Sequence, residues 1–388
     1  MWVKVGSADE SDDEAGMSHL IEHMLFKGTV KRKAGEIARE IETAGGNINA
    51  WTSHDQTVFH IIIPSRYFLT GLDVLADAIQ NSSFDPEELE REKEVVLEEI
   101  KMRMDQPSGK LHRALFATSY KVHPYGRPVI GFKKTVEKFN QKKIVEYYRK
   151  WYTPDNMVLI VAGDIQSPKA LRAIKNAFKN FASHLKAGSK RLVEPPQKEF
   201  RNIILREDVQ KAYLNMAFHI PAVTHGDSYA LDVLASVLGE GDSSRLFQKV
   251  KSEEKLVYSI NAYSFTPKDP GIFMIGSVLE GNNVKPALAS ILREIYRLQQ
   301  EPPSSQEIRR AKINLESEFI YGKETVQGEA RKLGYFETVL GNVAYEQVYL
   351  DRINRVTPQD ISRVARKYFC LLYTSDAADE LDGVDLGG

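Results

Sequence analysis

The chain has 388 residues, 42% of them hydrophobic and 27% charged, with a net charge of −1 and a single cysteine, Cys370. That length exceeds one ordinary core and predicts two domains, while the charge balance gives no electrostatic footprint for nucleic acid or an anionic membrane and one thiol excludes an internal disulfide framework. No apolar run approaches the roughly 18–20 residues that span a bilayer, so a soluble protein without a membrane span is expected, its compartment open.

The opening "MWVKVG" already has strand character, with a strand over Trp2–Val5, so any leader or targeting segment is expected to be missing. Next comes "GMSHLIEHMLF", Gly16–Phe26, which places two histidines and a glutamate inside an apolar run. On a helix, His19 and His23 stand on one face, about 6 Å apart at Cβ. Two imidazoles at that spacing can share one metal ion, and Glu22 beside them can reach a water at the metal. Leu20, Ile21, Met24 and Leu25 cover the remaining surface, so the polar face looks into protein. The plain alternative is a pair of structural histidines on a core helix.

Lys33–Thr43 has helical periodicity, "NINAWTS" and "TVFHIII" form a hairpin pattern with a strand over Val58–Ile63, and Arg66–Gln80 is again helical. The helix Pro86–Arg103 starts with Asp85 as N-cap, Pro86 at N1 and Glu88 at N3. Its apolar stripe is Leu89, Val96 and Ile100, and Glu92 and Glu99 fall on that stripe. Buried carboxylates are costly unless paired or metal-bound. A catalytic zinc takes three protein ligands and keeps one position open. Glu99 is therefore the expected third ligand, with Glu92 supporting the site or replacing it; an ion pair with a nearby base is the alternative.

Gln141–Lys150 reads as a helix and Met157–Val161 as a strand, closing a first domain over residues 1–185. Residues 186–200, in the Lys/Pro/Gly-bearing "HLKAGSKRLVEPPQKEF", suit a linker. The second domain, 201–370, repeats the first: Phe84–Ile100 parallels Pro302–Phe319, and Thr135–Tyr152 parallels Arg352–Phe369. Strands are expected at Ile203–Leu205 and Ala212–His219, and helices at Ser228–Leu238, Lys285–Gln299 and Ser305–Phe319. "SYALDVLASVL" lies where the histidine motif would recur and contains no histidine, so one metal site per chain is expected. Residues 371–388 are acidic from Asp376 onward and are expected to be disordered or foreign to the protein. The fold class is α+β: two duplicated domains, each a mostly antiparallel sheet packed with helices.

The order His19-x-x-Glu22-His23 resembles the inverted zinc motif of the pitrilysin/insulinase metallopeptidases. "GMSHLIEHMLFKGT" with the later Glu92 and Glu99 resembles the branch containing the mitochondrial processing peptidase β subunit, over Trp2 to about Phe369. The resemblance implies one zinc ion per chain held by His19, His23 and Glu99, with Glu22 as general base and Glu92 in support. Gly45–His60 resembles the segment whose edge strand pairs with an extended substrate, and Asn49 and Ala50 stand at its contacting positions. Gly239–Ser259 resembles the region that brings an arginine and a tyrosine to the substrate carbonyl. Tyr258 matches, but Lys251 stands where the family has arginine, keeping the charge and losing the bidentate fork.

The implied activity is zinc-dependent endoproteolysis of unfolded or extended peptides or presequences, by a homodimer or a chain paired with a homologous subunit. A non-catalytic structural or partner subunit of the same superfamily is the alternative, and the intact His19, Glu22, His23 and Glu99 argue against it.

Overall fold

The computed structural model describes residues 1–182, 188 and 191–369. Cys370, the tail 371–388 and four residues of the expected linker, 186–187 and 189–190, lie outside the described residues. The chain forms two compact units, neither of them a continuous segment. The first holds Met1–Asp105, Val122–Val193 and Gly322–Val343; the second holds Gln106–Lys121, Glu194–Tyr321 and the chain from Ala344 onward. A single cut within 186–200 does not describe this division. Helix Pro107–Ser119 of the first half belongs to the second unit, and helix Val326–Tyr335 of the second half belongs to the first.

The first unit is built on an antiparallel sheet of β1 (Trp2–Val3), β2 (Asn47–Thr52), β3 (Thr57–Ile62) and β4 (Met157–Val158), in the order β2-β3-β1-β4. β2 pairs with β3 from Asn47 opposite Ile62 to Thr52 opposite Thr57, and Trp2 sits between Val58 and Val158. Helix Met17–Met24 packs its apolar side, Leu20, Ile21 and Met24, into the core with Val3, Phe59, Leu89 and Val96. The long helix Pro86–Asp105 begins as its sequence dictates: Asp85 Oδ1 accepts from the amides of Glu87 and Glu88 at 2.9 and 3.2 Å. The exchanged helix Val326–Tyr335 lies on an aromatic patch of this sheet. Arg331 stacks over Trp51 at 5.6 Å, and a Cβ on Gly334 would come within 2.0 Å of the Trp2 indole. Only glycine permits that approach.

The second unit carries β5 (Ala212–Ile220), β6 (Val257–Phe265) and β7 (Gly271–Leu279) in the antiparallel order β5-β7-β6. This matches β1-β3-β2 of the first sheet, without a counterpart of β4 among the described residues. Leu231, Leu234 and Leu238 of helix Ser228–Gly239 pack with Phe273, Ile291, Ile295, Val364 and Phe369 in its core. The expected strand at Ile203–Leu205 does not form: residues 201–206 join no ladder, and Ile203, Ile204 and Leu205 are exposed. β-branched composition makes a strand only where a partner strand supplies the ladder.

One buried acid ties the second unit together. Asp227 precedes helix Ser228–Gly239 and accepts from Arg363 Nη1 at 2.7 Å, Lys367 Nζ at 2.9 Å and Tyr368 Oη at 2.6 Å. Burial pushes its pKa up, but Tyr368, Lys367 and Arg363 outweigh burial and hold the carboxyl well below the usual range. A depressed folded pKa contributes stability above the unfolded value, near 4, that fades as pH falls. Asp227→Asn is therefore expected to destabilise the protein by roughly 1–3 kcal/mol at neutral pH. In denaturant titrations the deficit shrinks as pH drops below about 4; a deficit constant with pH would rule the charge out as its origin.

Candidate metal centre

Helix Met17–Met24 starts without a cap of its own, because its N-cap, Gly16, has a left-handed backbone (φ 99°) and no side chain. Glu10 does that work from outside the helix. Its Oε2 accepts from the Gly16 amide at 2.8 Å and its Oε1 from the Ser18 amide at 2.7 Å. Ser18 Oγ is in turn 2.8 Å from Tyr147 Oη. The turn that carries His19 is thus fixed from two sides, and neither Glu10 nor Tyr147 was marked by the sequence pattern.

One helical turn apart, the His19 and His23 rings lie 4.8 Å centroid to centroid. Glu99 comes from helix Pro86–Asp105, with Oε2 3.6 Å from His19 Nε2 and 3.9 Å from His23 Nε2. One ligand atom from each residue falls within a 4.8 Å set, and no other such group of His, Cys, Asp and Glu occurs among the described residues. In a tetrahedron with bonds of about 2.0–2.1 Å the ligand atoms stand about 3.3 Å apart, so small side-chain shifts close this set on one zinc ion. The protonation state also fits. Burial, reinforced by the neighbouring His23 and opposed by Glu99, lowers the His19 pKa to about 4. The imidazole is neutral near pH 7, the form that binds metal.

The surrounding contacts hold each group in place. His23 Nδ1 donates to Glu92 Oε2 at 3.1 Å, which leaves Nε2 facing Glu99 and His19. Arg103 Nε and Nη2 donate to Glu99 Oε1 at 3.0 and 2.8 Å, one helical turn on, so Oε2 is the oxygen turned toward the histidines. Thr52 Oγ1, at the end of β2, donates to Glu22 Oε2 at 2.6 Å. Burial raises the Glu22 pKa, with the Thr52 bond pulling the other way. A raised carboxyl pKa suits a group that must take up a proton and give it back.

The remaining expected site residues are placed as follows. Asn49 and Ala50 lie on β2, the edge strand of the first sheet, which pairs only with β3 among the described residues. The Ala50 amide donates to Asn49 Oδ1 at 2.8 Å. Tyr258 and Lys251 belong to the second unit, not to the unit of the histidines. Tyr258 stands where the β6–β7 register slips, between Val257 opposite Leu279 and Ser259 opposite Val278. A bulge of this kind re-aims a side chain. Its half-exposed ring lies under Lys211 Nζ at 4.2 Å, and its hydroxyl donates to Glu280. Lys251 lies in the helical segment Phe247–Glu253 with its amine 4.4 Å from the centre of the Phe247 ring. Arg245, the nearby arginine that could be confused with it, is held by Glu307 through Nε–Oε1 at 2.6 Å.

Residues 1–133 match the family model described as insulinase (peptidase family M16), and residues 138–315 match the one described as the peptidase M16 inactive domain. The chain is 31% identical to an uncharacterized zinc protease of Rickettsia felis over 96% of its own length and 90% of the relative. It is 32% identical to an uncharacterized zinc protease of Bacillus subtilis, covering 95% and 89%. A probable mitochondrial-processing peptidase β subunit of Arabidopsis thaliana is 29% identical, with 97% of this chain and 72% of that one covered. Among solved structures, a protease from Helicobacter pylori superposes with a TM-score of 0.92 at 27% identity, over 96% of this chain and 91% of that one.

Proposed function

This chain belongs to the insulinase family, peptidase family M16, and from that premise we propose that it is a zinc-dependent endopeptidase acting on unfolded or extended peptides. The observation that carries the proposal is the convergence of His19, His23 and Glu99 within 4.8 Å beside a half-buried Glu22. A bound zinc supplies a Lewis acid that polarises a carbonyl and makes water more acidic.

The chain's own groups account for the rest. His19, His23 and Glu99 would hold the ion. Glu22, oriented by Thr52, takes the proton of the attacking water and returns it to the leaving amine. β2 offers an edge at Asn49 and Ala50 that is unpaired among the described residues, to which an extended segment can add as a further strand. Backbone pairing of that kind demands an unfolded substrate more than a particular sequence. The relatives named zinc proteases and the β subunit named a processing peptidase support the reaction class. Tyr258 and Lys251 are proposed to act on the substrate carbonyl.

The test is metal content and cleavage together. The purified protein is expected to bind one zinc per chain and to cut an unstructured peptide internally. Activity should disappear on dialysis against a chelator and return with added zinc. A chain that takes up no stoichiometric zinc, or cuts equally well without it, is not this enzyme.

A further inference from the structure

The two histidines of the centre are not supported alike. His23 is held at Nδ1 by Glu92, whereas the buried His19 Nδ1 has no hydrogen-bond partner among the described residues. Orientation of the histidine pair by a carboxylate therefore runs through Glu92 alone, and Glu92 is itself almost fully buried, with 7% of its side chain exposed. A carboxylate in that position needs a counter-charge. Lys27 supplies it: its Nζ lies 2.6 Å from Glu92 Oε1, the oxygen that His23 does not use.

Lys27 is well placed to act as a fixed post. It comes after Leu25 and Phe26 at the end of helix Met17–Met24, and its amide donates to the Met24 carbonyl at 3.0 Å. Its neighbour Phe26 packs edge-on against Phe59 of β3 at 5.6 Å. The lysine thus starts from a pinned turn and reaches across to the helix that carries Glu99, while 36% of its side chain remains exposed. The contacts run in series from Lys27 to Glu92 to His23.

We infer that Lys27 is a positioning residue for the metal centre: through Glu92 it fixes the ring and the tautomer of His23, so that Nε2 is presented to the ion. Partners at this remove from a metal typically change its affinity 10- to 100-fold. Lysine's bare charge is opposed to a cation, so electrostatics alone predicts the reverse sign: removing it would tighten zinc binding. The direction of the effect therefore separates positioning from simple charge.

This inference rests on the zinc proposal above, and the two fail differently. In competition with a chromophoric chelator, Lys27→Met is expected to bind zinc about 10- to 100-fold more weakly than the wild type. Lys27→Arg, which restores a donor to Glu92, should return to within a few-fold of it. In a Glu92→Gln background, adding Lys27→Met should change zinc affinity no further. Affinity of Lys27→Met equal to or tighter than wild type overturns the inference while leaving the zinc site intact. So does an added loss in the Glu92→Gln background. If Lys27→Met alone does not fold, the comparison of Glu92→Gln with Glu92→Gln/Lys27→Met decides by the same criterion. A wild-type protein that binds no zinc would instead remove the proposed function itself.

Discussion

Glu22→Gln is expected to keep one zinc per chain and to slow peptide cleavage by roughly 10²–10⁴-fold, the usual contribution of a general base. The geometry separates the two readouts. The atoms that converge for the metal belong to His19, His23 and Glu99, and Glu22 is not among them. A glutamine carbonyl can still accept from Thr52 Oγ1, now 2.6 Å from Glu22 Oε2, so the side chain keeps its anchor and its volume. What it loses is the ability to take a proton. The loss should fall on kcat, with KM little changed, because Asn49 and Ala50, where the substrate is proposed to add to β2, are left as they are. Metal analysis and initial rates on the same preparation check this. Cleavage at the wild-type rate would remove Glu22 from the chemistry, and loss of zinc would recast it as a ligand.

Much of this centre was legible because its signals are local or compositional. His19, Glu22 and His23 follow from i, i+3 and i+4 spacing on one helix, and Glu99 and Glu92 from acids set in an apolar stripe. The residues that hold them were not equally legible. Arg103 stands four residues after Glu99, where helical spacing alone foretells the ion pair. Glu10 was hidden because it lies in an acidic stretch with Asp9, Asp12, Asp13 and Glu14, and only tertiary packing decides which acid turns inward. Lys27 and Thr52 are ordinary surface types whose roles arise from contacts made at a distance in sequence. The exchange of helices Pro107–Ser119 and Val326–Tyr335 between units left no mark in the pattern either. An amphipathic helix states that it will be buried, not against which sheet. The duplication was visible, but the strand-like composition of residues 201–206 pointed to a strand that joins no ladder among the described residues.

Loss of a buried charge partner should have the largest effect on stability, and Arg32 is the clearest case. It lies beyond the helix that carries His19 and His23, with 11% of its side chain exposed, and joins three acids from two helices. Its Nη1 donates to Asp77 Oδ2 at 2.8 Å, its Nε to Glu40 Oε2 at 2.8 Å and its Nη2 to Asp73 Oδ2 at 2.6 Å. Glu40 and Asp73 reach solvent and can tolerate its removal, but Asp77 cannot, since 1% of its side chain is exposed. Burial raises the Asp77 pKa, and Thr29, Asn81 and Arg32 together overcome it and hold the carboxyl below its usual range. Arg32→Met keeps the apolar stem and deletes the cation paired with Asp77, leaving the neutral donors of Thr29 and Asn81.

Breaking a buried pair from one side costs about 3–5 kcal/mol, which for a unit of this size lowers its melting temperature by roughly 10 °C. The pH dependence fixes the cause. In Arg32→Met, Asp77 loses the cation that helps hold its pKa down, so the wild type's advantage is full above the unfolded value, near 4, and fades as pH falls. The gap between variant and wild type must therefore narrow on acidification. Asp77→Asn in the Arg32→Met background should recover part of the loss, because an amide carries no charge to bury. A melting temperature for Arg32→Met within about 2 °C of wild type would mean that the cluster is a surface network, whose pairs are each worth no more than about 1 kcal/mol.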